Sequence, residues 1–247
     1  MSIACIIPAR YNSSRFPGKL LVKVQGKTVL QRTFENASSS KKLNSLHVAT
    51  DDERIAQHVQ HIGGEVLWTS SAPRDGTERA MEAISRYPFL KTSESIMVLQ
   101  GDHPCASHET IDLIAMALHA DPAAVLSTAA APIQNREDFL SPHVVKCVFD
   151  QNGNALYFSR SPIPHTKAEN PLLAFAHIGI YCYRLAFLEK IRASTPTSLQ
   201  EIEDLEQLKI LQLGYRIKIA LVSEITPSVD TPSDLVKLEA YLSIDKK

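Results

Sequence analysis

Residues 3–19 read IACIIPARYNSSRFPGK. The first five, Ile3 to Ile7, are an unbroken apolar run, the pattern of a strand buried on both faces rather than one. Pro8 and the small, polar residues after it end that run. Three cations follow, Arg10, Arg15 and Lys19, interspersed with Ser13, Ser14 and Gly18 and with no acid among them. Charged side chains, hydroxyls and exposed backbone amides between a buried strand and the next helix make a cradle for an anion, phosphate above all.

The same grammar repeats downstream. Lys27–Ala37 has helical spacing, with Val29, Leu30, Thr33, Phe34 and Ala37 on one face. Leu46–Thr50 reads as a strand, followed by a helix that Asp51 or Asp52 caps and Gly63-Gly64 ends. EVLWT (65–69) is a third strand and TERAMEAISRY (77–87) a helix. Ile96–Leu99 is a fourth strand, running into Gln100-Gly101-Asp102-His103-Pro104, with a helix over about 109–119. Strand and helix in alternation predict an α/β fold, a mostly parallel twisted sheet flanked by helices in Rossmann-like fashion. Ligands of such sheets gather at the carboxyl ends of the strands, so the cationic loop and QGDHP are expected to face one crevice.

The second half is less regular. VVKCVF and ALYFS flank the turn Asp150-Gln151-Asn152-Gly153, a hairpin signal. HIGIYCY is a further strand. Ser198–Leu213 reads as one helix opened by a capping box, Ser198 with Glu201, and carrying a buried stripe of Leu199, Ile202, Leu205 and Leu208. A last helix follows Asp230-Thr231-Pro232. Without repeats or a linker, residues 1–247 read as a single domain with a small β-rich lobe.

Composition narrows the function. With 44% apolar residues and a net charge of -1 over 247 residues, no global field points to nucleic acid or membrane. No stretch approaches the ~20 apolar residues of a spanning helix, and a soluble cytoplasmic protein is expected. Cys5, Cys105, Cys147 and Cys182 lie far apart without a C-x-x-C, so buried free thiols are expected rather than zinc or redox chemistry. The loop is no Walker A motif, because Ser13 and Leu21 stand where glycine would precede the two Gly-Lys pairs. No G-x-G-x-x-G follows a strand. His58 and His61 share a helix face but lack an acidic partner, and read as surface residues.

PARYNSSRFPGK resembles the signature P-A-R-x-x-S-[ST]-R-[LF]-P-G-K of the sugar-acid cytidylyltransferases. VATDDERIA, GGEVLWT, DGTERAMEAI, QGDHP, NALYFSRSPIP, HIGIYCYR, LEQLKIL and VDTPSDL match the family in order and span nearly the whole chain. The likeness is strongest to the branch that activates 3-deoxy-D-manno-octulosonate (Kdo). It implies the nucleotide-diphospho-sugar-transferase fold, a homodimer formed through the β-rich lobe, and transfer from CTP to Kdo with Mg²⁺. The products would be pyrophosphate and CMP-Kdo, the latter for lipopolysaccharide assembly.

The resemblance also implies roles. Arg10, Arg15 and Lys19 would grip the triphosphate, with Ala9, Ser13, Ser14, Arg74, Gly76, Thr77 and Arg79 completing the nucleotide site. Asp102 and Asp230 would hold the metal, although Asp at such places also caps turns and helices. Gln100, Arg160, His177, Tyr181, Glu203, Glu206 and Gln207 would form the sugar pocket, although acids opposite a buried stripe are ordinarily a wetted helix face. Two departures stand out: His103 replaces the family's glutamate, and Gln200 stands where glutamate is usual. His103 removes an acidic charge beside the expected metal and is not counted in the site. A sialic or related nonulosonic acid as acceptor, and a nucleotide-binding protein without turnover, remain alternatives.

Overall fold

The computed structural model describes residues 2–165, 174–192 and 194–244. The chain divides into two compact units, residues 1–112 with 226–247, and residues 113–225.

The first unit opens with β1 (Ile3–Pro8), every residue of which is buried. A minor hairpin, β2 (Lys23–Val24) and β3 (Lys27–Thr28), precedes α1 (Val29–Ser38), capped by the Thr28 hydroxyl accepting from Gln31 N at 3.0 Å. Then come β4 (Ser45–Thr50), α2 (Glu53–His61), β5 (Glu65–Trp68), α3 (Gly76–Arg86), β6 (Ser95–Leu99) and α4 (His108–Ala120), within which the unit boundary falls. β1 pairs in parallel with β4 on one side and β6 on the other, and β4 pairs in parallel with β5. The order β6-β1-β4-β5 therefore reverses direction at β1. At such a switch point the loops leaving two neighbouring strands diverge to opposite faces and leave a crevice at their carboxyl ends. The loop after β1 is the cationic one, and the loop after β6 is Gln100–Pro104.

The second unit contains β7 (Ala124–Pro132), α5 (Arg136–Leu140), β8 (Lys146–Phe149), β9 (Ala155–Ser159), β10 (Phe175–Arg184), α6 (Leu185–Ile191), α7 (Ser198–Glu203), α8 (Glu206–Gln212) and β11 (Arg216–Leu221). β10 runs antiparallel to β7 and β8, β8 and β9 form a hairpin, and β11 is parallel to β7. The hairpin turns on Asp150, whose carboxylate accepts from the backbone of Asn152 and Asn154, each at 2.8 Å. The chain returns to the first unit for α9 (Asp234–Ile244).

One expected element is different. The helix expected over 198–213 is two helices, broken where Asp204 adopts φ +52. Thr197 rather than Ser198 is the N-cap, no side chain caps there, and Ile202 is exposed rather than buried. Glu203, the last residue before the break, reaches the end of β9. All four cysteines are free and buried, as expected.

Candidate active site

The switch-point crevice of the first unit is a polar cavity of about 450 Å³. Ala9, Arg10, Ser13, Ser14, Arg15 and Lys19 line it from the loop after β1, Gly76 and Arg79 from α3, and Gln100 and Asp102 from the loop after β6. Asp230 closes it from the segment before α9. Its backbone is brought there by a bond from Val229 N to the Asp102 carbonyl at 2.9 Å.

Lys19 is the hub. Its Nζ donates to Asp102 Oδ2 at 2.6 Å and to Asp230 Oδ1 at 3.0 Å, and Arg15 Nη2 reaches the same Asp230 oxygen at 3.0 Å. Burial works against the Lys19 charge, but the two carboxylates outweigh it and hold the ammonium above its ordinary range. The turn before α9 is closed by Asp234, whose Oδ2 accepts from the backbone of Asp230 at 3.1 Å and of Thr231 at 2.8 Å. The Asp230 carboxylate is left to the cavity.

The α3 side of the cavity is built from caps and close approaches. Asp75 caps α3 by accepting from Glu78 N at 2.8 Å, and Thr77 is buried in the first turn. Gly76 packs against Gln100 closely enough that a Cβ there would push the Gln100 side-chain amide aside. Arg79 is buried and held by Asp51 at 3.1 Å, Thr69 and the Ser70 carbonyl. Arg10 Nη2 donates to the Arg74 carbonyl at 2.7 Å, while the Arg74 guanidinium turns away to Glu78. Arg74 therefore meets the loop through its backbone and does not itself line the cavity.

His103 is mostly buried, with Nε2 4.0 Å from Asp102 Oδ1 and Nδ1 without a partner. Burial pushes its imidazole below the ordinary range, against the pull of Asp102 and Asp230.

In the second unit the expected sugar-pocket residues form two joined clusters. Glu203 accepts from Ser159 Oγ at 2.6 Å and Arg160 N at 2.8 Å. The Arg160 guanidinium returns the grip, donating to the carbonyls of Glu203 at 2.8 Å, Asp204 at 3.1 Å and Pro142 at 3.2 Å. Beside them His177 stacks edge-on against Phe158, bonds Thr128 through Nε2 at 2.9 Å and faces Gln207 through Nδ1 at 3.5 Å. Tyr181 donates to Gln207 Oε1 at 3.2 Å. Gln207 is buried, whereas Glu206, in the first turn of α8, is half-buried.

A family model, Cytidylyltransferase, matches residues 4–219. The chain belongs to the cytidylyltransferase family. Two curated cytidylyltransferases, both 3-deoxy-manno-octulosonate cytidylyltransferases, are 47% identical to it. One, from Protochlamydia amoebophila, aligns over 96% of this chain and 93% of its own length. The other, from Chlamydia trachomatis serovar A, aligns over 96% and 92%. The solved structure of CMP:2-keto-3-deoxy-manno-octonic acid synthetase complexed with CTP superposes with a TM-score of 0.92 at 33% identity, covering 99% of this chain and 100% of that one. The α/β, Rossmann-like architecture is the same.

The cytidylyltransferase cavity offers two carboxylates as hard oxygen donors at one wall. Among the described residues no group of three or more His, Cys, Asp and Glu side chains is placed to hold a metal. That donor set fits a magnesium ion that completes its shell with water and phosphate oxygens, the usual arrangement where one or two carboxylates serve.

Several participants in this geometry escape sequence reasoning. Asn12, Leu20 and Gly101 line the cavity and Asp51 neutralises Arg79. Asp51 was within reach, since it too sits at the carboxyl end of a parallel strand. Lys146 was not: it is fully buried in β8, donating to the carbonyls of Ser141 at 2.8 Å and Arg160 at 2.6 Å.

Proposed function

We propose that this cytidylyltransferase couples CTP to Kdo, forming CMP-Kdo and pyrophosphate. The anomeric hydroxyl oxygen of Kdo bonds to the α-phosphorus of CTP, the bond from that phosphorus to the bridging β-phosphate oxygen breaks, and one proton is released. Catalysis of such a transfer is mainly positioning and charge stabilisation. Arg10, Arg15 and Lys19 bind the β- and γ-phosphates and stabilise the pyrophosphate as it leaves. Arginine suits forked phosphate contacts, and Lys19 acts as a point charge. Asp102 and Asp230 would hold Mg²⁺, which when bound neutralises phosphate charge. Ala9, Ser13, Ser14, Gly76 and Thr77 offer backbone and hydroxyl groups around the nucleotide. Gln100, Arg160, His177, Tyr181, Glu203, Glu206 and Gln207 serve the sugar acid.

The observation that carries this reading is the meeting of three cations and two aspartates, drawn from three distant segments, in one cavity. The choice of Kdo over a nonulosonic acid rests on the two relatives of that name, aligned over 96% of the chain. Residues 1–247 would work as one cytidylyltransferase domain, as a homodimer, in the cytoplasm, upstream of lipopolysaccharide core assembly. Among the described residues no helix is long and apolar enough to cross a membrane.

Pyrophosphate release with CTP and Mg²⁺ tests the reading, with Kdo, N-acetylneuraminate or no sugar added. Release with Kdo alone supports it. Release with N-acetylneuraminate instead would reassign the acceptor. CTP binding without release under any condition would make the protein a nucleotide binder.

A further inference from the structure

The cationic loop leaves β1 at Ala9 and returns at Gly18, whose N–H donates to the Tyr11 carbonyl at 2.8 Å. Between them lie Asn12, Ser13, Ser14 and Arg15, all lining the cavity. Tyr11 lies at the neck of this loop, and two contacts hold its ring. The guanidinium of Arg54 lies over one face, its Cζ 3.3 Å from the ring centroid. Gly18 lies against the hydroxyl end so closely that a Cβ there would come within 3.0 Å of the ring. Gly18 also adopts φ +73, which a side chain would strain.

Arg54 is itself fixed. Its Nε and Nη2 donate to the two oxygens of Asp52, at 3.0 and 2.6 Å, a forked pair. Asp52 is the N-cap of α2, and its own N–H donates to Thr50 Oγ1 at 3.2 Å at the end of β4. The chain Thr50, Asp52, Arg54, Tyr11 thus joins the loop after β4 to the loop after β1. Neither Tyr11 nor Arg54 lines the cavity, so any effect they exert on a ligand passes through the loop.

We infer that Tyr11 and Arg54 form a positioning pair that presets the cationic loop for the triphosphate. The inference rests on the reading of that loop as the CTP site. A loop that must be ordered before its ligand binds has its apparent affinity reduced by the fraction in which it is competent. The pair raises that fraction without touching CTP, so its loss falls on CTP affinity and leaves the chemical step unchanged.

The experiment measures CTP binding by calorimetry, steady-state kinetics and thermal midpoints for Tyr11→Leu, Tyr11→Phe, Arg54→Gln and the Tyr11→Leu/Arg54→Gln double variant. Tyr11→Leu is expected to weaken CTP binding and raise KM for CTP about five- to tenfold, with kcat within about twofold of wild type. Tyr11→Phe keeps the stacking ring and is expected to restore wild-type values. Arg54→Gln alone is expected to raise KM about two- to fivefold, and to add nothing in the Tyr11→Leu background. CTP affinity unchanged in Tyr11→Leu would overturn the inference. So would a Tyr11→Phe variant as impaired as Tyr11→Leu, or additive losses in the double variant. A wild type that binds CTP but turns over neither sugar would overturn the proposed function alone, because calorimetric affinity still reads the stack.

Discussion

Replacing Asp102 by Asn separates the two roles that this carboxylate can have. The substitution keeps the shape and removes the charge. In the folded protein the partner is Lys19, at 2.6 Å, with side-chain exposures of 11% for Lys19 and 24% for Asp102. A hydrogen bond to a charged group contributes roughly 1.5–3 kcal/mol in the best case. Here water reaches the carboxylate, Asp230 still holds the ammonium at 3.0 Å, and an asparagine oxygen can accept in place of the lost one. The expected loss of stability is therefore at the low end, about 1–2 kcal/mol. For a chain of this size that lowers the thermal midpoint by about 2–8 °C. The loss of turnover is expected to be larger. Removing one group that stabilises developing charge commonly costs 10²–10³ in kcat, or about 3–4 kcal/mol of transition-state stabilisation. Pyrophosphate release at saturating CTP, Kdo and Mg²⁺, beside a thermal melt, reads both quantities on one preparation. A folded variant within tenfold of wild-type turnover would refute the assignment of Asp102 to the reaction. A variant that unfolds, with activity falling only in proportion to the folded fraction, would make Asp102 a structural partner of Lys19.

Four further outcomes are expected. The Lys19 ammonium lies above its unfolded value of 10.5, so its pairing stabilises the fold fully below that pH and ceases to do so as pH rises through the folded value. The stability difference between wild type and Lys19→Met should accordingly hold steady to about pH 10 and shrink above it in urea titrations. Gly76→Ala should cost less than about 1 kcal/mol in melts, because the group it meets is the free end of the Gln100 side chain, which can swing into the cavity, and adding Gln100→Ala should change stability little further. Glu203→Gln can still accept from Arg160 N and can donate its NH₂ to Ser159 Oγ, so it loses only the charge and should cost about 1 kcal/mol in urea unfolding. Burial pushes the thiols of Cys147 and Cys182 up to about 12, and all four thiols are buried, so a thiol reagent at pH 8 should label the protein only after denaturation.

The first unit was legible because its signals are local and agree with one another. Unbroken apolar runs mark strands that are buried on both faces, amphipathic runs mark the helices that cover them, and parallel order follows from their alternation. Those features place 9–19 and 100–104 at carboxyl strand ends. They do not fix strand order, and only the order shows that β1 and β6 are neighbours at the reversal. The meeting of Asp102 with Asp230 was less accessible still. It depends on the chain returning from the second unit and on one backbone bond, Val229 N to the Asp102 carbonyl, neither of which has a periodic signature.

The second unit shows where pattern reading fails and why. The stripe Leu199, Ile202, Leu205, Leu208 has good helical spacing, yet Ile202 is 79% exposed. Periodicity assumes one continuous helix, and Asp204 in the left-handed region interrupts it. What fixes the break is tertiary. Glu203 answers a buried hydroxyl and a backbone N–H at the end of β9, while the Arg160 guanidinium takes up the carbonyls that the broken helix exposes. Leaving the Ser159 hydroxyl or the Arg160 N–H, which Glu203 shields from water, unpaired would cost about 1–3 kcal/mol each, more than the few tenths by which helix propensities differ at a typical position. A polar network of this kind outweighs local preference. Its members, Ser159, Arg160, Glu203 and the buried Lys146, become recognisable as a set only once β8, β9 and α7 are seen side by side.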